Sequence, residues 1–140
     1  MKKGNRFHKV IIDSNIWISF LIGKNLTGLH YLIDEQKIKI ITCNEQRAEL
    51  AEVFKKAKIR KYFSKYQVIE FFELLDESSE CIRLITQSDL CRDPKDNYLV
   101  SLAIDSNADY LITGDKDLLE LNSIENTKII KYTDFEKIFK

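Results

Sequence analysis

The chain has 140 residues, 44% of them hydrophobic and 31% charged, with 22 basic residues balanced by 22 acidic ones. This length suits one domain whose core needs no disulfide or metal staple, and the composition excludes a disordered chain. The balanced charge argues against a general polyanion binder, so any nucleic-acid contact has to rest on a local patch.

Val10, Ile11 and Ile12 form a continuous apolar run, the pattern of a strand buried on both faces. Helices are expected over 15–22 and 27–36, and an isoleucine-rich second strand over 38–42. Asn44 is placed to cap a helix that carries Leu50, Val53, Phe54 and Ala57 on one face. A further helix is expected over 66–77 and a third strand over 81–86. Pro94, the only proline, suits the first turn of the next helix, with Asp93 as its cap. Strands over 110–113 and 128–131 follow, then a short closing helix over 133–139. Strands alternating with helices imply an α/β fold: one domain over 1–140, with a parallel sheet covered on both faces. Crossovers in such sheets are almost always right-handed, which leaves few topologies.

Cys43, Cys81 and Cys91 are odd in number and lack CxxC spacing, which points to free, mostly buried thiols in a reducing compartment. His8 and His30 do not complete a zinc spacing with them. Asp13 and Asn15 interrupt the apolar stretch near the start, and no apolar run approaches about 18 residues. A cytoplasmic protein without a membrane span is therefore expected. Neither GxGxxG nor GxxxxGK is present, which argues against a dinucleotide or Walker-type phosphate loop.

Ligands of open parallel sheets bind outside the carboxyl ends of the strands. Asp13 directly follows the first strand, and Asp115 follows the fourth after Gly114. Asp96 opens the helix after the third strand, and Glu49 lies in the second turn of the helix after the second. Each has an ordinary structural reading as well. Asp13 and Asp115 could be helix caps, and Asp96 could belong to a capping box with Asp93. At about 100° per residue, however, Asp96 points the same way as Leu99, Val100 and Ala103, where an unpaired carboxylate is costly. Glu49 lies at the edge of its helix's apolar stripe, whereas Glu45 and Glu52 point further away. Asp117 could share or replace the role of Asp115. Asp109 begins its strand and reads as structural.

Four carboxylates in one cleft repel each other, and either protons or a cation must relieve the charge. Oxygen-only ligands favour Mg²⁺ or Mn²⁺ over zinc. Such a site suits hydrolysis of a phosphodiester, with the metal stabilising the attacking and leaving oxygens.

Asp13-Ser14-Asn15 after an apolar strand, Glu49-Leu50 on a helix, RDPKDN with Asp96 and LITGDKDLL with Asp115 together resemble a PIN-domain ribonuclease. More narrowly, they are similar to the PIN-family toxin components of bacterial and archaeal toxin–antitoxin pairs. The resemblance covers nearly the whole chain. It implies a three-layer α/β/α sandwich with a parallel sheet in the order 3-2-1-4-5. It also implies Mg²⁺- or Mn²⁺-dependent cleavage of single-stranded RNA, an antitoxin partner and often a homodimer. The family's four acids fall on Asp13, Glu49, Asp96 and Asp115. Asn15 and Thr113 match polar positions that support the site, and Ser14 stands where many members have threonine.

Residues 54–66 hold Lys55, Lys56, Lys58, Arg60, Lys61 and Lys65, with Tyr62, Phe63 and Tyr66 among them. They read either as a solvated helix end with core aromatics or as a basic lip that grips RNA phosphates. Trp17 and Phe20 are more readily core or dimer contacts than base platforms. A non-catalytic PIN-like module that binds RNA or protein is the alternative. A dehalogenase-type phosphatase would need an aspartate where Asn15 stands. A receiver domain would need acids ahead of the end of the first strand. A Ser-His-Asp hydrolase has no partnered histidine to support it.

Overall fold

A computed structural model describes residues 7–23, 27–91 and 93–139, except for the side chains of 27–30. His30 and Arg92 of the RDPKDN motif therefore lie outside the described side chains.

The centre of the sheet is β1 (His8–Ile12), flanked by β2 (Ile38–Thr42) and β4 (Tyr110–Ile112). Outside β2 lies β3 (Ser79–Cys81), and outside β4 lies β6 (Thr127–Ile130), all in parallel. The two-residue β5 (Ser123–Ile124) closes the far edge antiparallel to β6, giving the order β3-β2-β1-β4-β6-β5. The five expected strands thus keep the order 3-2-1-4-5, with β6 as the fifth. The edge strand β5 is the addition.

The helices are α1 (Ser14–Gly23), α2 (Thr27–Asp34), α3 (Asn44–Lys55), α4 (Ala57–Arg60), α5 (Lys65–Ser78), α6 (Asn97–Ser106), α7 (Lys116–Leu119) and α8 (Tyr132–Ile138). Successive side chains of a strand point to opposite faces, and this alternation builds two cores. Val10 and Ile12 join Trp17, Phe20, Leu50, Phe54, Phe71, Leu75 and Phe135 on the side of α1, α3, α5 and α8. Ile11 joins Leu99, Val100, Leu102, Ala103 and Leu118 on the side of α6 and α7. The result is the expected α/β/α sandwich. Trp17 and Phe20 are core residues, 3% and 4% exposed. Among the described residues, no helix is long and apolar enough to cross a membrane.

Three local expectations are corrected. The third strand spans Ser79–Cys81, not 81–86. After Ile82 donates to the Thr42 carbonyl at 2.8 Å, the next amides turn to α6. Ile85 and Thr86 donate to Asp105 Oδ2 at 2.7 and 3.0 Å, Ser88 to Ser101 Oγ at 3.1 Å, and Cys91 to Asn97 Oδ1 at 2.8 Å. These acceptors recur every fourth residue and so share one helix face. They hold the extended segment against α6 instead of in the sheet.

Second, Asn44 does not cap α3. Cys43 occupies that position without a side-chain bond, and Asn44 Oδ1 accepts the Cys81 thiol at 3.5 Å. Third, α3 stops at Lys55 because Lys56 is extended (φ −66°, ψ 134°), so Ala57 starts α4 and is exposed. The thiols of Cys43 and Cys91 are buried, whereas that of Cys81 is exposed.

Candidate active site

Each acid is delivered by the element that precedes it. Asp13 is 5% exposed at the carboxyl end of β1. Its carbonyl accepts the amides of Ile16 and Trp17, and its Oδ1 accepts the Asn15 amide at 3.3 Å, so it also starts α1. Its other oxygen faces across the sheet and accepts the Thr113 hydroxyl at 2.7 Å. Thr113 in turn accepts the Asp115 amide at 3.0 Å. Asp115 Oδ1 caps α7 by accepting the Asp117 amide at 2.7 Å. Asp13 and Asp115 thus start helices while their carboxyls share one edge of the sheet. Asn15 contributes its backbone amide, and its side chain is exposed.

Asp96 ends a 3-10 turn over Pro94–Asp96 that Asp93 caps through the Lys95 amide at 3.1 Å, as the sequence predicts. It stands at the head of α6 without a side-chain capping bond. Below it Leu99 and Val100 are fully buried and Ala103 is 1% exposed. Glu49 projects from the middle of α3 and accepts the Tyr98 hydroxyl at 2.5 Å. Glu45 and Glu52 face solvent. Asp109 lies at the opposite edge, where its carboxylate accepts the Lys9 amide at 2.8 Å, a structural role.

The charges of neighbouring acids act on Asp13 and on Asp96. Burial, the largest effect, raises the Asp13 carboxyl above its ordinary value, the Thr113 and Asn15 bonds oppose it, and the charges of Glu49 and Asp115 add to it. Asp96 is pushed up to about 7, first by burial, then by the Asp115 carboxyl lying against it, then by Asp13 and Asp93. With both carboxyls ionised, neither Asp96 nor Asp115 can donate to the other. Asp96 Oδ2 is then a buried carboxylate oxygen without a partner.

This donor set fits a hard divalent cation: it is all oxygen, crowded with negative charge, and keeps one buried carboxylate oxygen free. Among the described residues, no three acidic, histidine or cysteine side chains already form a cage for one ion. Mg²⁺ commonly binds through one or two carboxylates and retained waters, so a preformed cage is not required. Asp117 lies beside the group: its charge, with those of Asp96 and Asp115, raises the buried Cys91 thiol, whose main shift comes from burial.

Two neighbours of the acids were not legible as such. Gln46 is fully buried, accepts the Thr42 hydroxyl at 2.6 Å and donates to the Ile12 carbonyl at 2.6 Å. It ties the start of α3 to the ends of β2 and β1. Its i,i+4 phase with Leu50 was the available signal. Tyr98 bonds Glu49, 49 positions away, and lies 3.3 Å from Ser14 Oγ, 84 positions away. No local pattern could announce that pairing.

The cations of Lys55, Lys56, Lys58, Arg60 and Lys61 are exposed. Because α3 starts at the carboxyl edge and runs back along the sheet, Lys55 lies about 9 Å along the helix axis from Glu49 at 1.5 Å per residue. The run therefore does not line the acids.

A parallel α/β/α sandwich with carboxylates gathered at the carboxyl ends of its central strands is the class that fold and site define. The chain belongs to the PIN domain family, whose model matches residues 9–117. It is 35% identical over 116 residues to the uncharacterized protein MJ1680 of Methanocaldococcus jannaschii, covering 81% of this chain and 74% of that one. Its fold is similar to that of VapBC2 from Rickettsia felis, solved bound to a DNA fragment from their promoter (TM-score 0.57, 20% identity, 86% of this chain and 96% of that one). It is also similar to PAE2754 from Pyrobaculum aerophilum (TM-score 0.57, 14% identity, 94% and 88%).

Proposed function

We propose that the chain is a metal-dependent endoribonuclease that hydrolyses phosphodiesters in single-stranded RNA, with Asp13, Glu49, Asp96 and Asp115 as its acidic centre. The observation that carries this reading is the unpartnered, buried Asp96 Oδ2 beside Asp115. A carboxylate in that position is costly unless a cation or a proton meets it. Asp13, Asp96 and Asp115 would hold Mg²⁺ or Mn²⁺, with Glu49 completing the set and Asp117 at its margin. When bound, such a cation neutralises charge on the phosphate and eases deprotonation of an attacking water. Thr113 keeps Asp13 turned toward the cleft, and the Asp117 amide orients Asp115. Ser14, 3% exposed, lends its hydroxyl to the wall of the site. The exposed cations over 55–61 would take the RNA backbone, and Tyr62 and Tyr66, 50% and 77% exposed, offer faces for a base.

The likeness to VapBC2 supports a toxin role with an antitoxin partner in the cytoplasm, and family membership supports a homodimer. The second reading is a non-catalytic module that binds RNA or protein. One experiment separates them: purified chain and labelled single-stranded RNA, with Mn²⁺, with Mg²⁺ and with a chelator. The nuclease reading expects cleavage with either metal, none with chelator, and none from a folded Asp96→Asn variant. Binding without cleavage under every condition, or undiminished cleavage by Asp96→Asn, overturns it.

A further inference from the structure

The Glu49 carboxylate, unlike those of Asp13 and Asp115, is not held by a nearby backbone amide. It sits mid-helix on α3, where a glutamate keeps several free torsions. What restrains it is Tyr98 on α6. The phenol donates to Glu49 Oε1 at 2.5 Å and meets Ser14 Oγ at 3.3 Å. Ser14 is the residue after Asp13, so one hydroxyl links the α3 side of the cleft to the α1 side, from a helix that begins one residue after Asp96. The ring is partly buried, and among the described residues no other hydrogen bond engages Glu49.

We infer that Tyr98 is a positioning residue, which aims the Glu49 carboxylate at the cation site and sets the width of the cleft between α3 and α6. The inference rests on the nuclease reading above and names how its fourth acid is held. Tyr98 does not ligate; it acts through Glu49. Partners that orient a metal ligand typically contribute about 10–100-fold in metal affinity or activity.

The test is a Mn²⁺ titration by calorimetry on four proteins: the unaltered chain, Tyr98→Phe, Glu49→Gln and the double variant. Phe keeps the ring and its packing, and the melting temperature verifies the fold. Tyr98→Phe is expected to weaken Mn²⁺ binding about 10-fold or more. The double variant is expected to bind no more weakly than Glu49→Gln alone, since residues acting through one contact are not additive. Ser14→Ala removes the other arm without touching Tyr98 or Glu49 and is expected to weaken binding only a few-fold. In RNA cleavage, excess Mn²⁺ restores the Tyr98→Phe rate, which it would not do for a fold defect. Unchanged or tighter binding by Tyr98→Phe, or losses that simply multiply in the double variant, overturns the inference. An unaltered chain that binds Mn²⁺ but cuts no RNA removes the nuclease reading and leaves the titration decisive for Tyr98. An unaltered chain that binds no Mn²⁺ overturns both.

Discussion

Thr113 donates its hydroxyl hydrogen to Asp13 Oδ2 at 2.7 Å, joining residues 100 positions apart across the neighbouring ends of β1 and β4. The Thr113 hydroxyl oxygen in turn receives the Asp115 amide at 3.0 Å. One buried hydroxyl thus orients two of the proposed ligands. Thr113→Val keeps the shape and removes both bonds. It should cost about 1–3 kcal/mol, because a buried acceptor and a part-buried donor are left unmet. Urea unfolding measures this, and Thr113→Ser should recover most of it.

The raised carboxyl of Asp96 makes stability depend on pH with a definite sign. A group whose pKa rises on folding binds its proton more tightly in the native state, so stability is fully present below the unfolded value and is lost as pH rises through the folded one. For Asp96 that window runs from its ordinary value of 3.8 to about 7. Asp13 is shifted the same way. The metal-free protein should therefore melt at progressively lower temperature between pH 5 and pH 8. Asp96→Asn should flatten the slope and raise the melting temperature at pH 8. Millimolar Mn²⁺ should stabilise the native state more at pH 8 than at pH 5, since protons compete for the ligands. Differential scanning fluorimetry across pH provides the comparison.

Gln46 supplies a prediction on the α3 side. Gln46→Leu fills similar space but leaves the Ile12 carbonyl and the Thr42 hydroxyl without their partner. Each such buried loss costs about 1–3 kcal/mol. Because Ile12 precedes Asp13, RNA cleavage should fall more than global unfolding explains. Rates for folded protein well below its melting temperature show the difference.

Much of this arrangement can be read from the chain before any coordinates. The apolar run at 10–12 announces a strand buried on both faces, the isoleucine-rich 38–42 and the stretch 110–113 read as further strands, and the sheet order comes from the resemblance to PIN domains. Asp96 is legible because its helical phase puts it over Leu99 and Val100. The misreadings have local physical causes. Residues 82–86 have the alternation of a strand, yet their amides find Asp105, whose position on α6 no local pattern reveals. The helix expected to run through Ala57 breaks at Lys56, where nothing in the residue type demands an extended backbone. β5 is two residues long, too short to show a period. Tyr98 joins the site through partners 49 and 84 positions distant, information that exists only once the sheet has formed.

Asp105 anchors the segment that leads into the Asp93-Pro94 turn. Burial works to raise its carboxyl, but the Thr86 hydroxyl and the amides of Ile85 and Thr86 outweigh it and hold it below its ordinary value. Its contribution is present above that ordinary value and is lost as pH falls through the lowered one. Asp105→Ala should raise hydrogen exchange at the Ile85 and Thr86 amides and leave that of β1 unchanged. Exchange mass spectrometry reads both. Equal protection of the segment in the variant would mean that Asp105 does not hold it.

The central claim is that Asp13, Glu49, Asp96 and Asp115 act as one cation site at the carboxyl edge of the sheet. A crystal of the chain soaked in Mn²⁺, with anomalous scattering recorded, tests it most directly. The account predicts an anomalous peak within coordination distance of Asp96 Oδ2 and at least one oxygen of Asp13 or Asp115. A saturating soak with no peak there, or with Mn²⁺ bound only elsewhere, would contradict it.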